Sequence, residues 1–209
     1  MTSVSCIRCG VCCKKGGPCL HTEDLALLHA QGILISDLVC LRKGEIVSDP
    51  RAGKYVELAE ERLKIRGANP GWVCIHYQEQ DLGCGIYASR PLECRELTCS
   101  DPASIYAAME QPYLVRSDLL STASGLWECV QEHERLFPVV RAIRDAKSLT
   151  PGSPISQKLH EYIMAERHFR DVLCERLQVA DEMLYPYLGR PLSLVIAPFG
   201  HFRTHVCES

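Results

Sequence analysis

From Ile155 to Leu177 the apolar residues recur at helical spacing. Ile155, Leu159, Tyr162, Ile163, Phe169, Leu173 and Leu177 fall along one side, which predicts an amphipathic helix over 155–177. Upstream, Leu119, Leu126, Val130, Phe137 and Val140 keep nearly the same period over 117–147, with a break expected at Pro138. ASIYAAMEQ (103–111) reads as a short helix, and ADEMLYPYLG as a last one ending at Gly189. LSLVIAP (192–198) reads as a strand or an extended arm.

The first hundred residues follow a different pattern. Thr22 is placed to cap a helix, with Glu23 and Asp24 in its first turn, Leu25, Leu28 and His29 on one face, and Gly32 as the left-handed stop. Ser36, Leu38 to Arg42 and Gly44 suggest a second short helix carrying Cys40. KYVEL and RLKIR alternate apolar and polar residues and read as a loose hairpin within 45–66. After the turn GANPG (67–71), WVCIHY and CGIY predict two short strands joined around Asp81, Leu82 and Gly83. Pro91 suits the first position of a helix running through Cys94. The expected fold is mainly α with a small irregular β element. Residues 1–100 form a cysteine-rich metal-bound module, and residues 101–209 a helical domain, a bundle packed on that module.

Composition separates the two parts further. Of the 13 cysteines, ten lie in residues 1–99. Charges balance across that stretch, so the net −3 falls in residues 100–209, and neither half holds a basic block. No nucleic-acid partner is therefore expected. The start shows no basic region followed by an apolar stretch, and the apolar run 192–199 is too short to span a bilayer. The expectation is a cytoplasmic protein with no membrane partner. In that compartment thiols stay reduced, and clustered cysteines bind metal or do redox chemistry more often than they pair.

Cys6, Cys9 and Cys12 form C-x2-C-x2-C, a spacing that lets a tight turn aim sulfurs at one centre. Cys13 follows at once. Neighbouring side chains diverge, so Cys12 and Cys13 are expected to serve two centres, or two irons of one cluster. Cys19 completes the first group. Cys74, Cys84, Cys94 and Cys99 form a second, more widely spaced group with no C-x2-C pair. That spacing favours one composite site over two separate knuckles. Four thiolates suit either zinc or an iron–sulfur cluster such as [4Fe–4S]. The adjacent pair and the surplus of thiols tilt the reading toward iron–sulfur.

CIRCGVCC, a Thr-Glu-Asp helix start, a downstream cysteine and CGIYASRPLECR together resemble the CxxCxxCC cysteine-cluster family (YkgJ-type), described as zinc- or iron-chelating. The resemblance covers roughly residues 6–99. It implies that Cys6, Cys9, Cys12, Cys13, Cys74, Cys84 and Cys94 are motif positions, with Cys19 and Cys99 less firmly placed. Arg90, Pro91 and Arg95 also lie in the motif. A related cluster occurs in the much longer flagellin lysine methylases, which are associated with an iron–sulfur cluster. This chain matches them in the cluster alone, and its helical half carries no methyl-donor motif.

Other residues admit plainer readings. Cys40, Cys129 and Cys174 stand singly in helical stretches, as core thiols do. His21 and His76 each lie two residues from a cysteine; they are ligand candidates, or a cap neighbour and an outward strand residue. His201, His205 and Cys207 would bind metal on a helix, and a frayed terminus explains them as well. Arg90 and Arg95 either hydrogen-bond to a cofactor's sulfurs or pair with nearby carboxylates such as Glu93 and Glu96.

Three functions stay open: a metal-binding protein, a metal-dependent protein-modifying enzyme, and a zinc-stabilised interaction module. Each has a metal ion as partner, and a protein partner or substrate is open in all three. If Cys9 is a ligand, Cys9→Ser lowers both the melting temperature and the metal content. A variant unchanged in both contradicts that role.

Overall fold

The computed structural model describes residues 9–68, 71–99, 101–150 and 153–199. Among them about 49% are helical and 13% lie in strands, which form small antiparallel sheets without a closed barrel. No helix among them is long and apolar enough to cross a membrane. The chain divides into two compact units. One comprises residues up to 40 and 62–118, the other residues 41–61 and those from 119 onward.

In the first unit, helix α1 (Val11–Lys15) is followed by a 3₁₀ turn (Thr22–Asp24) and α2 (Leu25–His29). Strand β1 (Leu38–Leu41) comes next. The chain leaves for the second unit to form β2 (Ile46–Asp49) and β3 (Lys54–Glu57), and returns in β4 (Arg62–Ile65), which pairs with β1. Then follow β5 (Tyr77–Gln78), β6 (Gly83–Cys84), α3 (Leu92–Glu96), α4 (Ala103–Ala108) and α5 (Arg116–Leu119), which reaches into the second unit.

A closed ring of three backbone hydrogen bonds ties this unit together. Leu20 N–H donates to Leu63 O (2.9 Å), Leu63 N–H to Leu114 O (2.8 Å), and Leu114 N–H to Leu20 O (2.9 Å). All three side chains are buried, so the bonds are shielded from water and the leucines supply the unit's core.

Several local expectations change. Leu38–Leu41 is a strand instead of a helix: its four residues are all buried, and a continuous apolar run suits a strand covered on both faces. Gly44 is left-handed (φ 88°), but it closes a turn after that strand. KYVE pairs with Ile46–Asp49, not with RLKIR, in the register Val47 opposite Val56. After α2 the left-handed position is taken by Gln31 (φ 54°); Gly32 instead lies against Ser89, where a Cβ would come within 3.0 Å. The residues around Leu192 form a helix, not a strand.

The second unit holds the longer helices: α6 (Gly125–Leu136), α7 (Val139–Lys147), α8 (Gln157–Leu177), α9 (Tyr185–Leu188) and α10 (Leu192–Ile196). Ser124 and Ser156 cap α6 and α8, accepting from Trp127 N–H and Leu159 N–H. Pro138 separates α6 from α7, as its missing N–H and fixed φ require. Phe137, Val139, Ile143, Leu159, Ile163, Leu192 and Ile196 pack one core. Val130, Leu184 and Leu188 pack a second.

Leu177 at the end of α8 is 49% exposed, while Glu166 and Arg170 are buried at core spacing. These two charges belong to a network. Glu166 accepts from Arg170 Nε and faces His133 Nε2 at 3.1 Å. Arg170 also donates to Asp181 and to the carbonyls of Leu188 and Gly189. Arg42, fully buried, makes a two-point contact with Glu134 at 2.8 and 2.7 Å. Each buried charge thus has a counter-charge, which is the condition for keeping it out of water.

His133 sits between Phe137 and Phe169, with ring centroids 5.6 and 5.5 Å away. Burial, helped by the positive charges of Arg42 and Arg170, outweighs the Glu166 contact and lowers its pKa. The folded chain therefore holds His133 neutral at a pH where the unfolded chain protonates it. The stability it confers is present above about pH 6.5 and is lost as pH falls below that value. Wild type should lose more melting temperature than His133→Gln between pH 7 and pH 5. Parallel pH profiles for the two proteins would contradict this.

Candidate metal centre

Four segments of the first unit carry the cysteines. α1 presents Cys12 and Cys13 on a single helical turn that starts from Gly10, whose left-handed φ of 73° turns the chain after Cys9. Cys74 N–H donates to Cys13 O at 2.9 Å, which joins the second segment to the first. Tyr77 N–H donates to Cys74 O (2.9 Å), and β5 and β6 pair with Tyr77 opposite Cys84, which adds the third. Cys94 is carried by α3.

Two buried carboxylates dock α3. Asp24 accepts Leu92 N–H at 2.9 Å and His21 N–H at 3.0 Å. Glu93 accepts Cys19 N–H at 2.8 Å through one oxygen and meets His21 Nε2 at 3.4 Å through the other. Burial pushes the pKa of Asp24 up against those hydrogen bonds. For His21, burial opposes charge, but Glu93 and the Gln111 carbonyl outweigh it and raise its pKa. With Nδ1 on Gln111 O (3.1 Å) and Nε2 on Glu93, both ring nitrogens of His21 are engaged.

Among the described candidates, five thiols lie within electrostatic reach of one another. The Cys13 pKa is pushed up to about 12, first by burial and then by Cys12, Cys74 and Cys84. Cys94 is also pushed up, by burial and then by Cys74, Cys12, Cys84 and Cys13. Cys74 rises through burial, with Cys84 and Cys12 adding to it. Cys12 and Cys13, expected to diverge, have sulfurs only 4.0 Å apart. The thiol is one rotatable bond from the backbone, and on a lone helical turn rotamer choice offsets the angle between neighbours.

The remaining candidates are not tied to these five by the same electrostatic contacts among the described residues. The groups acting most strongly on Cys19 after burial are Lys64, Glu93 and Arg62. Cys9 and Cys99 are exposed. Cys6, and with it His201, His205 and Cys207, lies outside the described residues. Among the described residues no three His, Cys, Asp or Glu side chains stand at metal-holding distance of one another. Cys40 is buried in β1 and Cys174 packs against the second core of the helical unit, while Cys129 is half-buried. His76 Nε2 lies 3.3 Å from Asp37, and burial lowers its pKa.

Arg90 stacks on Tyr87, 3.9 Å from the ring centre, and donates to Tyr87 O (3.1 Å) and Cys94 O (3.4 Å). Arg95 pairs with Glu23 and donates to Arg90 O (2.9 Å). In this structure the two arginines brace the turn that carries Cys94.

Gly10 and Tyr77, which the ligand spacing does not mark, meet at the cluster's first turn. A Cβ on Gly10 would stand 2.4 Å from Tyr77 Cε2 and 2.9 Å from its hydroxyl oxygen. Glycine at the second position of the C-x2-C turn was the legible signal. Gly10→Ala should cost roughly 1–3 kcal/mol of stability. Gly53→Ala, also left-handed (φ 61°) but with nothing within 4 Å, isolates the backbone part of that cost. Equal shifts of the two urea midpoints would contradict the contact with Tyr77.

Comparison with curated proteins returned no match, and neither did comparison with solved structures. The family model for CxxCxxCC, described as "Putative zinc- or iron-chelating domain", matches residues 5–114, more than half of the chain. That span includes the C-x2-C-x2-CC turn, the β5–β6 hairpin and α3, the elements on which the five thiols converge. This chain belongs to the CxxCxxCC family.

Proposed function

We propose that residues 1–100 hold a thiolate-bound metal centre, and that metal binding is the biochemical role of this part of the protein. Its ligands are drawn from Cys6, Cys9, Cys12, Cys13, Cys74, Cys84 and Cys94, with Cys19 and Cys99 as outlying candidates. The observation that carries the reading is the convergence of Cys12, Cys13, Cys74, Cys84 and Cys94, which span 82 positions of sequence, on one neighbourhood. Family membership supports metal binding in general.

The donor chemistry fits. Several half-buried thiols together resist ionisation, because burial and mutual repulsion both raise their pKa values. A bound cation reverses both effects and makes the thiolate form the stable one. Thiolate-bound zinc in small modules is worth about 10–16 kcal/mol, enough to draw such a cluster closed.

An iron–sulfur cluster is the favoured occupant. The adjacent sulfurs of Cys12 and Cys13 and the surplus of thiols over four suit a multi-metal centre. Such a group would supply one-electron chemistry at this place in the fold. Zinc is the second reading, since the family description names both metals. In either case the protein is placed in the reducing cytoplasm, where free thiols persist.

Purification without oxygen, a visible spectrum, and iron, sulfide and zinc counts per chain test this. Broad visible absorption with near-equal iron and sulfide is the expected result. A colourless protein with one or two zincs replaces the cluster with a zinc site. A chain free of both metals contradicts the proposal.

A further inference from the structure

Tyr77 carries a buried hydroxyl that finds no hydrogen-bond partner among the described residues. A buried phenol ordinarily finds one, because leaving it unpaired costs free energy. Its position is specific. The ring lies against Gly10, in the middle of the Cys9–Cys12 turn, and only the missing Cβ admits it. Its backbone donates to Cys74 O, and it stands opposite Cys84 across the β5–β6 hairpin. Lys14 Nζ lies 5.4 Å from the ring centre. The residue is therefore tied by its backbone to the segments of Cys74 and Cys84, while its hydroxyl lies against the Cys9–Cys12 turn at Gly10.

We propose that Tyr77 is a positioning residue for the metal centre: when the Cys9–Cys12 turn closes on a metal, its O–H donates to a thiolate sulfur of that turn. This rests on the metal-binding reading above. A thiolate is a far better acceptor than a thiol, so the bond forms with the ionised, metal-bound sulfur and is weak without metal. It would fix the ligand's orientation, as partners of metal ligands do elsewhere, and, as a hydrogen bond donated to sulfur, draw electron density from it. Gly10 and Tyr77 then act as one device, the glycine leaving room for the phenol that holds the turn.

Tyr77→Phe keeps the ring against Gly10 and removes only the oxygen. Both proteins would be loaded with Co2+ alone, whose sulfur-to-metal charge-transfer band reports on the thiolates. The variant should show that band at longer wavelength, because the sulfur regains electron density. It should also hold Co2+ about tenfold more weakly in chelator competition, the lower end of the usual effect of such partners. Its metal-free form, relieved of a buried unpaired hydroxyl, should melt no lower than wild type. An unchanged band and affinity overturn the role of the hydroxyl while leaving the metal-binding reading intact. A drop in the metal-free melting temperature, with band and affinity unchanged, overturns it equally and assigns the hydroxyl to packing. A wild-type chain that holds no Co2+ through its thiols overturns both readings together.

Discussion

Thiols that share one small volume cannot all ionise unless a positive charge joins them. Cys13, Cys74 and Cys94 are under this constraint: their pKa values are driven up by burial and by the neighbouring thiols. Much of the first unit consists of the structure needed to impose it. Asp24 and Glu93 spend two buried carboxylates to dock α3 and so to deliver Cys94. The Leu20–Leu63–Leu114 ring holds the strands between which the N-terminal segment runs. The bond from Cys74 N–H to Cys13 O joins the two cysteine groups directly. Thiols gathered in this way stay protonated until a cation joins them, and then give up their protons to it.

The second unit is organised on a different principle. It has two apolar cores and long capped helices. It nevertheless buries charge: Arg42 with Glu134, and Arg170 with Glu166 and Asp181 beside the neutral ring of His133. Such networks are costly to desolvate and strongly destabilising when one member is lost. Their worth lies in fixing one arrangement of helices that apolar packing alone would leave less determined, a reading consistent with Arg170 gripping the carbonyls of Leu188 and Gly189.

Helices with a strong apolar period were legible from sequence. α8 and the α6–α7 break at Pro138 appear as the spacing implies, because local preference and burial agree there. The helix after Pro91 was equally readable, since proline acts locally. A hairpin does turn at Asp81 and Leu82, but its strands are only Tyr77–Gln78 and Gly83–Cys84 rather than WVCIHY and CGIY, and Tyr87–Ser89 is a 3₁₀ turn. Leu38–Leu41 was not readable. Its strand character comes from pairing with β4 and from burial on both faces, which four apolar letters do not distinguish from a helix turn. The cysteine motif announced the candidate ligands, but not that Cys19 lies apart among Lys64, Glu93 and Arg62. Nor could it show that Tyr77 and Gly10 interlock, because that contact joins residues 67 positions apart and neither bears a thiol.

The most direct test of the account is a site-by-site measurement of cysteine alkylation, read by mass spectrometry with and without bound metal. The account predicts that Cys12, Cys13, Cys74, Cys84 and Cys94 are protected together and become reactive together when a chelator strips the metal, while Cys129 and Cys174 react at the same rate in both states. Equal reactivity of the five thiols before and after metal removal would contradict it.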